Sequence, residues 1–180
     1  MLRKMLCVSA AMLAAGIAWA AAPAGEATVL FDFENDADVA AWQVEDVLKD
    51  KVKLEASAEH ATSGKQSLKM TLQPHEWPGM STTKLPKDWS GFTDLAFDVF
   101  SAADTSVCVR IDDDNSKDYG SRFNSQPQDL VKGANTVTIA LADVGDAVSL
   151  KKIKALYLFS TDVPEQRVFF IDNIRLIKKK

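Results

Sequence analysis

The stretch RVFFIDNIRLI, residues 167–177, alternates with a period of two. On a regular strand Val168, Phe170, Ile174 and Leu176 fall on one face, and Asp172 falls with them. A lone ionised carboxylate among hydrocarbon is too costly to leave uncompensated. Asp172 must be paired with a lysine or arginine, cap a bulge through hydrogen bonds, or bind a metal.

The same period recurs along the chain. KVKLEAS sets Val52, Leu54 and Ala56 against Lys51, Lys53 and Glu55, QSLKMTLQ sets Leu68, Met70 and Leu72 against Lys69 and Thr71, and NTVTIAL sets Val137, Ile139 and Leu141 against Thr136, Thr138 and Ala140. Further strands are read at TVLFDFE, GMSTTKL, DLAFDVF, SVCVRID, YGSRFNS and KALYLFS, which makes about ten. Turn-rich segments such as ATSGK, QPHEWPG, PKDWSG and VKGAN separate them. Only NDADVAAWQVEDV and LADVGDA have helical character. Residues 27–177 therefore form one all-β domain, an antiparallel two-sheet β-sandwich or barrel.

The chain opens MLRKMLCVSAAMLAAGIAWAAAPAGEA. Arg3 and Lys4 precede an apolar run over 5–17 and the small-x-small site Ala18-Trp19-Ala20, which predicts a secretory signal peptide over residues 1–22. A retained anchor is the alternative. Export to the periplasm or medium is expected. Without Arg3 and Lys4, 19 basic residues face 25 acidic ones, so the formal charge moves from -4 to -6. That balance lacks the basic footprint of a nucleic-acid or anionic-lipid binder. Beyond the signal only Cys108 remains, which excludes an intramolecular disulfide. Stability then rests on the core, on a metal, or on both.

Strand parity also nominates a polar face. Leu95, Phe97 and Val99 point to the core and leave Asp98 and Phe100 outside; Val107, Val109 and Ile111 leave Cys108, Arg110 and Asp112. In YGSRFNS, Tyr119 and Phe123 oppose Arg122 and Asn124, and in KALYLFS, Leu156 and Leu158 oppose Tyr157 and Phe159. If these strands share a sheet, Asp98, Arg110, Asp112, Arg122, Asn124, Tyr157 and Phe159 collect on one face. Planar charged and amide groups beside an aromatic ring suit sugars, whose hydroxyls pair with them while the C–H face stacks on the ring. A solvent face laced with Arg–Asp pairs is the competing reading. Trp42 reads as core. Trp77, between prolines in a loop, has no core to fill and is the better binding candidate; Trp89 reads as a loop anchor or a staple over the sandwich end. IDDDNSKD fails the EF-hand pattern, because Lys117 stands where the turn glycine belongs. No G-x-S-x-G, H-E-x-x-H, P-loop or Cys/His cluster marks an enzyme.

Three segments together carry a resemblance: FDFEND with Trp42 beyond it, ATSGKQSLKMTL, and FFIDNIRL. In this order they resemble jelly-roll carbohydrate-binding modules of the galactose-binding-domain-like type, over residues 27–177. The resemblance implies a jelly roll, non-catalytic binding of a polysaccharide or oligosaccharide, and a structural Ca²⁺. Its ligands would be Asp32 or Glu34, the Lys65 carbonyl and Asp172. Modules of this kind are usually tethered to catalytic domains, so a partner glycoside hydrolase is expected. The alternatives are an exported structural or protein-interaction domain, and a small glycan-processing enzyme using a carboxylate pair.

Overall fold

The computed structural model describes residues 26–178; the signal peptide expected over 1–22 lies outside the described residues. The first half of the domain contains β1 (Glu26–Phe31), α1 (Asp36–Ala40), β2 (Trp42–Gln43), β3 (Val52–Ser57), β4 (Ser67–Leu72), β5 (Gly79–Thr82) and β6 (Asp94–Ser101). The second half contains β7 (Thr105–Asp113), β8 (Phe123–Asn124), β9 (Gln128–Leu130), β10 (Gly133–Ala140), α2 (Leu141–Ala147), β11 (Ile153–Phe159) and β12 (Arg167–Lys178). Ten of the twelve strands coincide with the alternating segments; the short β2 and β9 were not anticipated. Both helices fall where helical character was read. Asn35 starts α1 by accepting the Asp38 N–H on its side-chain oxygen.

The strands form two antiparallel six-stranded sheets. Sheet one runs β10-β6-β12-β4-β3 with β1 also pairing β12; sheet two runs β2-β5-β11-β7-β8 with β9 pairing β7. Between them lie Leu95, Phe97 and Val99 of β6, Val107, Val109 and Ile111 of β7, and Leu156 and Leu158 of β11, all buried as parity predicts. Trp42 packs edge-on against Phe31 in this core. Trp89 is fully buried, its backbone N–H bonded to the Leu150 carbonyl, so it acts as the staple rather than an exposed anchor.

The decisive strand departs from its parity. Asp172 pairs with Asp98 but Arg175 pairs with Ala96, so three steps along β12 match two along β6. The extra residue is a bulge at Asn173, whose φ is 51°. Asparagine is among the few non-glycine residues that adopt this left-handed conformation readily. The bulge reverses the facing pattern. Phe169 and Ile171 face the core before it and Ile174 and Leu176 after it, while Phe170 and Asp172 point away, to the outer face of sheet one. Asp172 therefore does not share a face with Ile174 and Leu176, as unbroken alternation predicts.

That outer face is covered by the β3–β4 connection. Asp172 Oδ2 accepts the N–H groups of Thr62 at 2.6 Å and Ser63 at 2.8 Å, and Oδ1 accepts the Asn173 N–H at 2.6 Å. Asp98 beside it accepts Asn173 Nδ2 at 3.0 Å and the Thr136 hydroxyl at 2.9 Å, and pairs with Arg175 at 3.2 Å. The Thr62 hydroxyl lies between the two carboxylates, 3.0 Å from Asp98 and 3.1 Å from Asp172, with one proton to give. His60 stacks on Phe100 with ring centroids 3.4 Å apart and meets Phe170 edge-on. Of the compensations open to Asp172, the bulge-capping one is realised, and the arginine goes to its neighbour.

The bulge yields a test by urea unfolding. Asn173→Gly keeps the backbone and loses one side-chain hydrogen bond, about 1 kcal/mol. Asn173→Val loses that bond and forces a β-branched residue into the left-handed region, for about 1–2 kcal/mol more. Equal stability of the two variants would contradict the role assigned to this residue.

Candidate functional site

The outer face of sheet two is built differently. Register places Gln43 opposite Ser81, Ser81 opposite Tyr157, Tyr157 opposite Arg110 and Arg110 opposite Asn124. Five outward side chains thus form one row across five strands, and four inter-strand spacings give a length of about 19 Å. The row floors a groove of about 630 Å³. Trp77, Arg110, Arg122, Asn124 and Tyr157, all nominated from sequence, line it together.

Each wall has a local cause. Trp77 lies in the β4–β5 connection, which is pinned to the β11–β12 connection by backbone bonds between His75 and Val163 in both directions and from Asp162 to Glu76. The Trp77 N–H donates to His75 Nδ1 at 3.2 Å, and the indole is left 57% exposed on the rim. Beside it, Gly79 lets β5 approach β11: a Cβ there would lie 2.5 Å from the Leu158 carbonyl and would collide with Phe159. On the opposite side, residues 119–121 form a single 3-10 turn capped reciprocally by Asp118 and Ser121. This turn carries Tyr119, 78% exposed, into the groove lining. It also orients Arg122, whose Nε donates to the Asp118 carbonyl at 2.6 Å.

The centre is preorganised. Asp112, two residues from Arg110 on the same strand face, takes Arg110 Nε at 2.8 Å and Nη2 at 2.6 Å in a two-pronged contact. The guanidinium carbon stands 4.1 Å from the centroid of the Tyr157 ring. Burial works against charge on Arg110, but the hydrogen bonds and charge of Asp112 outweigh it and hold the group above its usual range. Burial pushes the Tyr157 phenol above its ordinary value, with Arg110 pulling partly the other way. At neutral pH the groove centre therefore offers a fixed cation with free N–H donors and a neutral hydroxyl that both donates and accepts. Burial likewise raises the Cys108 thiol, which is free and buried.

One expectation is corrected. Asp98 is not part of this face: β6 pairs with β10 and β12 in sheet one, and Asp98 serves the Arg175 cluster on the opposite side of the sandwich. Facing was legible from parity, but which strands are neighbours was not. The residues expected around a calcium are engaged in hydrogen bonds. Asp32 Oδ1 accepts the Glu34 N–H, Glu34 Oε1 accepts the N–H groups of Lys65 and Gln66 at 2.7 Å each, and Asp172 is committed to Thr62, Ser63 and Asn173. Among the described residues no three acidic, histidine or cysteine side chains group as a metal site. A cation needs oxygen lone pairs, and here Asp172 Oδ2 and Glu34 Oε1 already spend theirs on N–H donors.

Sequence parity missed four contributors. Gln43 and Ser81 alternate with the buried Trp42 and Met80, a signal available but too short to use. His75 reads from sequence only as a turn residue. Strand parity puts Tyr119 opposite Arg122, whereas its segment coils into the capped turn. Replacing Gly79 by alanine is expected to overpack the groove floor and cost about 1–3 kcal/mol in chemical denaturation. Unchanged stability would mean the floor is looser than its geometry.

A family model described as carbohydrate binding domain (family 11) matches residues 18–151. Among solved structures, the chain is similar to a family 11 carbohydrate-binding module from Clostridium thermocellum in complex with a β-1,3-1,4-mixed-linked tetrasaccharide. Identity is 16%, the TM-score 0.65, and the match covers 87% of this chain and 98% of that one. A xylan-binding domain from Paenibacillus barcinonensis matches at 18% identity and a TM-score of 0.57, over 89% and 100% of the two chains. An exo-β-agarase matches at 19% identity and a TM-score of 0.66, over 84% of this chain and 25% of its own. No curated protein matches.

Proposed function

The chain belongs to carbohydrate-binding family 11, a family of non-catalytic modules, and from that premise we propose that its sheet-two groove binds an internal stretch of a neutral β-linked polysaccharide. The observation that carries this reading is the polar row Gln43–Ser81–Tyr157–Arg110–Asn124 between two exposed aromatic side chains, Trp77 and Tyr119, in one groove. A glycan chain laid along the row spans several rings.

The roles follow from the surroundings. Trp77 and Tyr119 present open ring faces for stacking on the C–H faces of sugars. Tyr157 cannot be the principal platform on its Arg110 side, because the guanidinium covers that ring face. It works through its hydroxyl instead. Arg110, Arg122 and Asn124 supply donors directed at hydroxyls, and Asp112 acts by holding Arg110 in place. A β-1,3-1,4 mixed-linked glucan is the first ligand to try, since a similar module carries such a tetrasaccharide. Export directed by residues 1–22 and action beside a glycoside hydrolase complete the proposal; a domain of this fold forms a quarter of the agarase chain.

Affinity electrophoresis against mixed-linkage glucan, xylan and agarose tests the groove. Retardation by at least one is expected. Trp77→Ala and Tyr119→Ala should each weaken binding by about 10- to 100-fold, the range of buried aromatic anchors. Arg110→Ala should do at least as much, because it also leaves Asp112 unpaired. Wild-type protein that ignores all three polysaccharides, or alanine variants that bind as well as wild type, would sink the proposal. Because burial keeps the Tyr157 phenol protonated, affinity should stay level from pH about 7 to about 9.5; a fall within that window would mean that the hydroxyl ionises earlier than its burial implies.

A further inference from the structure

The connection between β3 and β4, on the face opposite the groove, occupies the place where resemblance implies a calcium. We infer that this turn is fastened by carboxylate–amide hydrogen bonds in the cation's stead, so that the domain folds and binds without a resident divalent ion.

Three contacts support this. First, Asp172 Oδ2 receives two consecutive backbone N–H groups, Thr62 at 2.6 Å and Ser63 at 2.8 Å. Consecutive amides converging on one oxygen form an anion-binding nest, and their positive ends repel a metal ion at that position. Second, Glu34 Oε1 receives the next pair, Lys65 and Gln66, at 2.7 Å each. The turn thus offers amide N–H groups to both acidic residues.

Third, Glu34 packs directly on Gly64. A Cβ at Gly64 would lie 2.6 Å from each carboxylate oxygen of Glu34, and the residue has φ +70°. The carboxylate fills the cradle that the missing Cβ leaves. Calcium would require six to eight oxygens around one point. The charge of the cluster is met locally instead: Arg175 balances Asp98, and amide N–H groups solvate Asp172.

Thermal unfolding in chelator-stripped buffer, with EDTA and with excess CaCl₂, tests the inference. The expected result is the same midpoint in all three, within about 1 °C. Glu34→Gln, which keeps an acceptor oxygen for Lys65 and Gln66, should lower the midpoint by no more than about 5 °C, whereas Glu34→Ala should lower it further. Stoichiometric calcium in the purified wild-type protein overturns the inference, as does an EDTA-induced drop that calcium reverses. The wild-type measurements decide even if a variant fails to fold. Polysaccharide binding should be unaffected by EDTA, and because the melting experiment uses no glycan, a failure of the groove assignment would leave this result standing.

Discussion

One extra residue in the central strand of sheet one organises the rest of the domain. β12 pairs with β1, β4 and β6, so a change in its facing is felt across the sheet. With Asn173 bulged, the strand buries hydrocarbon on its core side along its whole length and still sends Asp172 outward. Without the bulge either Asp172 would turn into the core and Phe169 and Ile171 out of it, or Arg175 would turn in and Ile174 and Leu176 out. Two further demands follow. Asp172 and Asp98 become adjacent carboxylates on the outer face, and they need donors. Arg175, Thr136, Asn173 and the 62–63 amides provide them, which fixes the β3–β4 connection over the sheet.

That closure decides where a ligand can go. The outer face of sheet one has its polar groups satisfied by one another and its aromatic rings, Phe100 and Phe170, packed against His60. A buried network with its donors and acceptors matched has little to offer a sugar, because each new hydrogen bond would replace one already made. Sheet two carries no such cover. Its connections rise at the sides, with Trp77 from one and Tyr119 from the other, and leave the row between them open.

Much of this was legible in the sequence. Period-two alternation placed the core residues of β4, β6, β7 and β11 correctly, and it put Arg110, Asp112, Asn124 and Tyr157 on the outward side. It failed for three physical reasons. Parity survives only while a strand is regular, and Asn173 breaks it. Parity says which way a side chain faces but not which strand lies beside it, so Asp98 was grouped with residues on the far side of the sandwich. Polar segments with strand-like spacing also coil when a cap is available, as Asp118 and Ser121 do around Tyr119. The calcium ligands were carried by resemblance alone, and the donors that meet Glu34 and Asp172 are contacts between residues up to 110 positions apart, which no local pattern reveals.

The groove and the clasp solve the same problem in opposite ways. In both, an acidic side chain is held by directed N–H donors: backbone amides for Asp172, the Arg110 fork for Asp112. At the clasp the donors are exhausted, and the result is a closed joint. At the groove only two of the five guanidinium N–H groups of Arg110 go to Asp112, and stacking on Tyr157 fixes the plane of the rest. A long arginine side chain free in solvent would lose rotamer entropy on gripping a hydroxyl. Here that ordering is already complete in the folded protein, so the free donors meet a ligand from a fixed position. A weakly polar chain such as a neutral glycan makes many modest hydrogen bonds and no strong one, and prior ordering of its partners lets their sum exceed the cost of association.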